Sequence, residues 1–198
     1  IRKAFIVAKE GRPGPVLVDI CKDVTAAITE YEHTAAQQPR PIPVGVTQQE
    51  VTQAARAINA AQKPIILAGG GIGIAEACDE LCCLAEKSNI PVTTSLMGLG
   101  GFSGTHPLFT GLVGMHGSKA SNLAVSECDL FIAIGARFSD RVISNVAKFA
   151  PNAKIMHIDI DPAEIGKNIN VDYPLVGNVK LILQQLCEEV EQNTRVDW

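Results

Sequence analysis

The chain has 198 residues, of which 46% are hydrophobic, enough to bury the core of one domain with some chain to spare. Its 17 basic and 21 acidic residues are interspersed and give a net charge of -4, which argues against nucleic acids and anionic membranes as partners. No apolar run approaches the roughly 20 residues of a membrane-spanning helix, and no signal-peptide pattern is present, so we expect a soluble, cytoplasmic protein.

The first 24 residues do not contain enough elements for a domain of their own. "IRKAFIVAKE" at residues 1–10 predicts a short helix, "GRPGP" at 11–15 a turn, and "VLVDI" at 16–20 a β-strand. A single apolar strand cannot bury both faces, so we expect this part to end a preceding domain of a longer protein. From Thr25 to Val46, three prolines and the lack of a period predict a surface linker.

After residue 46, strand-like runs alternate with amphipathic helices. Thr47 and Glu50 predict a capping box at the start of the first helix. The predicted helices cover residues 48–61, 75–88, 118–127 and 178–192, with a helical turn near 162–167 and a glycine-rich loop over 97–117. The predicted strands are 64–69, 91–94, 129–135, 154–160 and a short one near 169–173. Continuous apolar strands separated by helices predict an α/β fold, a doubly wound, Rossmann-like parallel sheet.

Six cysteines show no pattern typical of a metal centre. The sequence has no C-x-x-C pair, and no histidine lies at a metal-binding spacing from a cysteine. A zinc site is the less favoured alternative, and buried, reduced thiols are the favoured interpretation. The cysteines are Cys21, Cys78, Cys82, Cys83, Cys128 and Cys187.

Glycines follow the first predicted strand, where a parallel sheet places its ligands. Gly69, Gly70 and Gly71 are followed by Gly73, and the spacing does not match G-x-G-x-x-G. A phosphate-binding turn and a plain tight turn are therefore comparable interpretations of these residues.

Charged residues follow two other strands. Arg137 and Arg141 suit a phosphate or an anionic substrate, and pairing with Asp140 is the alternative. Asp159 either binds a ribose hydroxyl or caps the turn before Pro162. His116, taken alone, is an ordinary loop histidine. Because these signals converge on one edge of the sheet, a dinucleotide is the favoured ligand.

Several long stretches resemble the large catalytic subunits of acetolactate synthase, the thiamine-diphosphate enzymes of branched-chain amino-acid biosynthesis. They are "GRPGPVLVDICKDV", "KPIILAGGG", "IPVTTSLMGLGGFSGTHPL", "GLVGMHG", "CDLFIAIGARFSDRV" and "KIMHIDIDPAEIGKN", which together cover nearly the whole chain in order. The resemblance implies that residues 1–30 end the pyrimidine-binding domain and that 31–45 are a linker. It implies that residues 46–190 form the central FAD-binding domain and that 191–198 begin the next linker.

The same resemblance implies a set of site residues. Those matching the FAD-binding positions are Arg12, Gly69, Gly70, Gly71, Leu96, Met97, Met115, His116, Gly117, Gly135, Arg137, Arg141, Val142, Asp159 and Ile160. Those matching positions near the channel to the thiamine cofactor are Lys22, Met115, Asp140 and Arg141. Ser139, Asn178 and Cys21 depart from the family pattern, and the first two remove carboxylates from the expected nucleotide site.

The implied reaction decarboxylates pyruvate on thiamine diphosphate and joins the product to a second 2-keto acid, with FAD chiefly structural. The sequence contains no G-D-G motif for Mg²⁺ and the diphosphate. We therefore expect neither a catalytic residue nor a metal ligand in this chain, and no activity from it alone. The resemblance implies a homo-oligomer and leaves open whether a regulatory subunit binds.

Two alternatives remain. One is a nucleotide-free central domain of a related thiamine-diphosphate enzyme, in which the domain is only a spacer; "GARFSDR" favours the FAD-binding version. The other is an NAD-dependent oxidoreductase, which the absence of G-x-G-x-x-G disfavours.

Overall fold

The computed structural model describes residues 1–30, 32, 45–143 and 145–193. It divides the chain into two compact units, Ile1–Pro43 and Val44–Trp198. Most of the predicted linker 31–45, and the end of the segment predicted to begin the next linker, lie outside the described residues. Within the described part, none of the helices has the length and apolar character needed to cross a membrane.

The first unit, over its described residues 1–30 and 32, contains two short helices, α1 (Arg2–Val7) and α2 (Lys22–Ala26). The strand predicted at residues 16–20 is not formed, and Leu17 in its centre is 92% exposed. A strand needs a neighbour to pair with its N–H and C=O groups, and the described residues supply none here. The β-strand prediction is therefore wrong for this chain, although α1 agrees with the predicted helix.

The second unit contains one six-stranded sheet in which every neighbouring pair is parallel. Its spatial order is β3-β2-β1-β4-β5-β6, which confirms the predicted doubly wound α/β fold. The strands are β1 (Pro64–Ala68), β2 (Val92–Thr94), β3 (Phe109–Leu112), β4 (Leu130–Ile134), β5 (Lys154–Asp159) and β6 (Tyr173–Val176). Two expectations need correction, because β3 lies inside the predicted loop 97–117 and β6 begins where the strand predicted near 169–173 was expected to end.

The described residues form five α-helices around the sheet: α3 (Gln48–Ala60), α4 (Gly71–Ile74), α5 (Cys78–Ser88), α6 (Lys119–Glu127) and α7 (Val179–Glu189). The predicted capping box is confirmed, since the Glu50 N–H donates to Thr47 Oγ1 and the Thr47 N–H donates to the Glu50 carboxylate. The helix predicted over 75–88 begins at Cys78, because Glu76 adopts φ of 52° and ends α4 before α5 starts. The segment predicted to form a helical turn near 162–167 is a non-helical turn.

The two faces of the sheet bury separate apolar clusters. Ile66 and Ala68 pack with α3, α5 and α7, whereas Ile65 and Leu67 pack on the opposite face with the α6 side of the domain. All five residues of β1 and of β4 are buried. Burying one such aliphatic side chain stabilises the fold by about 1.5–3 kcal/mol, so these two strands anchor the domain.

The cysteines carry no disulfide among the described residues, as the reduced-thiol prediction requires. Their predicted burial is wrong for most of them, because Cys128 is buried while Cys21, Cys78 and Cys83 are exposed. Burial raises the pKa of Cys128 to about 12, so this thiol stays protonated at neutral pH.

Candidate functional site at the carboxyl ends of β1 and β4

The strand order changes direction at β1 and β4. From β1 the chain proceeds outward to β2 and β3, and then crosses back to β4, β5 and β6 on the other side. In open parallel sheets of this kind, ligands bind beyond the carboxyl ends of the strands at such a switch point. The turns after β1 and β4 are therefore the walls of the candidate site.

These two turns touch each other through their backbones. The Gly69 N–H donates to the Ile134 carbonyl at 2.9 Å, and the Gly71 N–H donates to the Gly135 carbonyl at 2.9 Å. A Cβ on Gly69 would lie 2.1 Å from the Gly135 oxygen, and one on Gly71 would lie 2.6 Å from Gly135 Cα. Gly135 itself has φ of 55°, in the left-handed region that favours glycine. The close approach of the two strand ends is thus what requires these glycines.

The middle residue of the glycine triplet contacts the turn after β2. A Cβ on Gly70 would lie 3.2 Å from Cβ of Met97, in the 3₁₀ turn Leu96–Gly98. Gly98 packs on β1, where a Cβ would lie 2.1 Å from the Ala68 oxygen. Among the described residues, the Gly70 N–H has no hydrogen-bond acceptor. The turns after β2, β1 and β4 therefore form one continuous surface with an amide that can still donate to a ligand.

A second loop, after β3, packs on the far end of the loop that follows β4. Gly114 has φ of 94°, and a Cβ there would lie 2.1 Å from the Arg141 oxygen. The Met115 N–H donates to the same Arg141 oxygen at 3.1 Å. Asn122 on α6 fixes the loop by accepting from the Gly114 N–H and donating to the Gly114 carbonyl. The predicted residues Met115 and Arg141 are therefore brought together.

The two arginines of the loop after β4 differ in their partners. Arg141 Nε lies 3.8 Å from Asp140 Oδ2, and both side chains are mostly exposed, so this ion pair contributes little stability. A guanidinium nitrogen of Arg141 also lies 4.0 Å from the Met115 sulfur. Arg137 is exposed and has no carboxylate partner within the described part of the chain. The pairing alternative thus applies to Arg141, while Arg137 is a cation available to an anionic ligand.

Large apolar side chains are exposed around the same turns. Leu96 is 74% exposed, Met97 is 78% exposed and Met115 is 59% exposed. Apolar exposure of this size on neighbouring turns is typical of a surface that a ligand or another domain covers. These three residues were predicted as cofactor-binding positions, and the structure places them on the loops of the switch-point edge.

Asp159 and Asn178 use their side chains to hold local structure. Asp159, at the end of β5, accepts the Asp161 N–H through Oδ1 at 2.9 Å, as the turn-capping interpretation expects. Asn178 is the N-cap of α7 and accepts the Leu181 N–H, a role in which Asn and Asp are comparable. Its difference from the family pattern therefore leaves the helix cap intact.

His157 lies on β5 and is fully buried. Its Nε2 donates to the Ala136 carbonyl at 3.0 Å, and its ring meets the Phe138 ring edge to face, with centroids 5.0 Å apart. Burial lowers its pKa, an effect that the Asp159 carboxylate partly opposes. This residue was not predicted from the sequence, where its one signal is a polar side chain between the apolar residues Met156 and Ile158. Gly114 was missed as well, although it belongs to a stretch that carries the resemblance.

The remaining predicted residues are distributed as follows. Arg12 and Lys22 belong to the first unit, Ile1–Pro43. His116 is exposed, Ile160 and Gly117 are half-buried, and Val142 is buried in the core on the α6 side. Ser139, one of the departures, accepts the Val142 N–H and the Ile143 N–H through its backbone carbonyl, so the turn does not depend on its side chain.

Three side chains on α5 and on the segment before β3 have the composition of a metal site. Cys82, Glu86 and His106 place a thiol, a carboxylate and an imidazole within 4.8 Å of one another. The His106 Nδ1 accepts the Leu108 N–H at 3.1 Å, so the ring proton is on Nε2, which lies 3.1 Å from Glu86 Oε1. A metal-ligating histidine normally has its proton on the other nitrogen and donates it to an acceptor. The group therefore fits a hydrogen-bonded brace of the segment before β3 better than a metal centre.

Comparisons with known proteins agree on one family. The family model described as the central domain of thiamine pyrophosphate enzymes matches residues 51–186. The chain is 48% identical to a Methanococcus aeolicus protein named as a probable acetolactate synthase large subunit, over 96% of this chain and 33% of that protein. It is 44% identical to the acetolactate synthase large subunit of Haemophilus influenzae, over 93% of this chain and 33% of that protein.

A solved structure gives the same result at the level of the fold. The X-ray structure of a protein described as a thiamin diphosphate-dependent enzyme from Mycobacterium smegmatis superposes with a TM-score of 0.78 and 27% identity. The match covers 98% of this chain and 37% of that chain. The chain thus spans about a third of the length of the relatives that it matches.

Proposed function

The chain belongs to the family of thiamine pyrophosphate enzyme central domains, and from this membership we propose that it is the FAD-binding central domain of an acetolactate synthase large subunit. The proposal for the whole protein is that it decarboxylates pyruvate and joins the product to a second 2-keto acid. As part of the same proposal, its small-molecule partners are 2-keto acids and its protein partners are other copies of the subunit. The named relatives support this proposal.

The observation that carries the FAD proposal is the guanidinium of Arg137 beside the switch point, which has no carboxylate partner among the described residues. A dinucleotide has a pyrophosphate, which needs cations and N–H donors, and a flat ring system, which needs apolar surface. Arg137 supplies the charge, Gly70 supplies an N–H, and the exposed side chains of Leu96, Met97 and Met115 supply the apolar surface. The donor set of this edge therefore fits such a ligand.

The residues of this chain would hold FAD rather than react with it. Arg137 and Arg141 would bind its charged portion, and Met97 and Met115 would shield its apolar portion from water. The rigid contact between the Gly69–Gly71 turn and Gly135 would keep the two walls at a fixed spacing, so that little order has to be created on binding. When bound, FAD would be chiefly structural, because the proposed reaction involves no net oxidation.

Thiamine diphosphate and Mg²⁺ do not fit the residues of this chain. Holding Mg²⁺ on a diphosphate requires oxygen ligands such as the G-D-G aspartate, and the sequence has no G-D-G. These two cofactors belong to the proposed function of the longer protein.

Flavin binding by the intact protein tests the proposal. Replacing both Arg137 and Arg141 by alanine removes charge-assisted hydrogen bonds worth about 1.5–3 kcal/mol each, so flavin absorbance of the purified protein should be lost. Arg56→Ala is the matched control, because Arg56 is an exposed arginine on α3, away from this edge. Wild-type flavin occupancy in the double variant would contradict the assignment of the loop. A wild-type protein that takes up no FAD would instead favour the nucleotide-free spacer.

A further inference from the structure

His157 is the buried polar side chain that the proposed function leaves unexplained. It lies on β5, one strand away from the loop that carries Arg137, and its side chain is fully inaccessible. Its Nε2 is 3.0 Å from the Ala136 oxygen. Its ring packs edge to face on Phe138, with an interplanar angle of 81°. His157 therefore contacts the residues immediately before and after Arg137.

The hydrogen bond determines which tautomer the ring adopts. A carbonyl oxygen only accepts, so Nε2 carries the proton and donates it to Ala136. Nδ1 is then an acceptor, and it is buried with no hydrogen-bond partner in the described part of the chain. A buried polar atom left unpaired destabilises the fold, so an apolar residue would serve better if this position only filled space. The presence of a histidine at this position is therefore explained by the hydrogen bond that its Nε2–H donates.

The Nε2–H fixes the peptide plane that leads into Arg137. The Ala136 carbonyl lies beyond the last residue of β4, so the sheet ladder does not hold it. On the other side of Arg137, the ring of Phe138 rests on His157, and the Phe138 carbonyl accepts from Asn168 Nδ2 at 2.8 Å. With both neighbours held, the Cα–Cβ direction of Arg137 is set, although its guanidinium is exposed.

We propose that His157 is a positioning residue for Arg137, which directs that guanidinium towards the charged portion of a dinucleotide bound at the switch point. The inference rests on the proposed function, because it concerns how the same site holds its ligand. His157 itself does not touch the ligand, since it is buried beneath the loop. Its effect is to reduce the conformations that Arg137 has to give up on binding.

Two amide variants separate positioning from space filling. In His157→Gln the amide nitrogen can occupy the place of Nε2 and donate to Ala136, whereas in His157→Asn the shorter side chain places its amide near Nδ1 and cannot reach. We expect FAD dissociation constants of the intact protein to rise about 3- to 10-fold in His157→Asn and to be largely restored in His157→Gln. Equal weakening in both variants, or none in either, would overturn the proposal.

A double-mutant cycle with Arg137→Ala distinguishes a positioning role from a merely structural one, because only positioning makes the two effects on FAD affinity depend on each other. If His157 acts through Arg137, His157→Asn should weaken FAD binding in the wild-type background and have no further effect in the Arg137→Ala background. Its effect on the urea midpoint should be the same in both backgrounds. Additive losses of FAD affinity would mean that His157 acts on the whole domain and not on Arg137.

The tautomer can be measured without any ligand and without a variant. In ¹⁵N spectra of histidine-labelled wild-type protein, the His157 signals should show a protonated Nε2 and an unprotonated Nδ1. A protonated Nδ1 would overturn the positioning role even if the protein binds FAD. If the tautomer is as expected but the wild type takes up no FAD, the proposed function fails and the positioning role fails with it.

Discussion

Replacing Gly69 by alanine tests whether the glycine triplet is a packing element, with Gly73→Ala as the matched control from the same turn. A Cβ on Gly69 would lie 2.1 Å from the Gly135 oxygen and 2.5 Å from Ala136 Cα. A Cβ on Gly73 would have no heavy atom within 4 Å. Gly69 lies two residues before α4 and Gly73 lies inside it, so the two substitutions add the same methyl group to nearby positions, but only the first meets backbone.

The expected loss of stability in Gly69→Ala follows from the distance that the backbone would have to move. Non-bonded carbon and oxygen atoms approach to little less than about 3 Å, so the turn after β4 must shift by about 1 Å to accommodate the Gly69 methyl group. That shift breaks the bond from the Gly69 N–H to Ile134 and strains Gly135 at the end of a fully buried strand. Overpacking of this kind costs about 1–3 kcal/mol, and we expect the upper end because both partners are backbone.

Urea denaturation followed by circular dichroism measures both effects. Gly69→Ala should lower the free energy of unfolding by about 3 kcal/mol. Gly73→Ala should leave it unchanged or raise it by up to about 1 kcal/mol, because alanine restricts the unfolded chain more than glycine does. Both values are to be measured without FAD, so that ligand binding does not enter. Equal midpoints for Gly69→Ala and the wild type would refute the packing explanation of the triplet.

Two further predictions concern acidity and activity. The pKa of folded His157 is lowered below its ordinary value of 6.5, so below that pH the unfolded chain binds a proton that the folded chain does not, and stability falls as the pH is lowered. Between the folded and unfolded pKa values, the loss of stability approaches about 1.4 kcal/mol per pH unit, and the carboxylates of Asp159 and Glu164 oppose it. Urea midpoints measured from pH 7.5 to 5 should therefore fall with pH, and His157→Gln should reduce this fall. Parallel plots of midpoint against pH for the two proteins would contradict the assignment to His157. The second prediction is that residues 1–198 alone form no acetolactate from pyruvate with thiamine diphosphate, Mg²⁺ and FAD, because positioning worth about 7–11 kcal/mol of barrier is missing. A colorimetric acetoin assay that gave turnover above a protein-free control would contradict it.

The central strands could be predicted from sequence because they are apolar throughout. "PIILA" and "LFIAI" are buried on both faces, which is the pattern of a covered parallel sheet. The two edge strands could not be placed this way. In β3 every residue is only half-buried, and Gly111 interrupts the pattern. In β6 Pro174 stands inside the strand, which is tolerated at an edge but reads as a break in the sequence.

Residues of the candidate site could be predicted where the residue type and its place after a strand already indicate a role. Charged residues after a strand, such as Arg137, and glycines after a strand, such as Gly69, are visible in one sequence. Gly114 and His157 are not, because their roles depend on contacts with Arg141 and Ala136, on segments that the sequence does not connect. Asn178 caps α7 through its side chain, and its expected effect on a nucleotide site stays a prediction.

The glycine triplet and the arginine carry different information about nucleotide binding. Gly69 and Gly71 are explained by the backbone of Gly135, and that contact is needed whether or not a ligand is present. A central domain that serves only as a spacer would therefore need the same glycines at the same strand ends. It would gain nothing from Arg137, whose charge has no partner among the described residues. The distinction between a nucleotide-binding domain and a spacer thus depends on Arg137 and on the residues that orient it, and not on the glycine-rich turn.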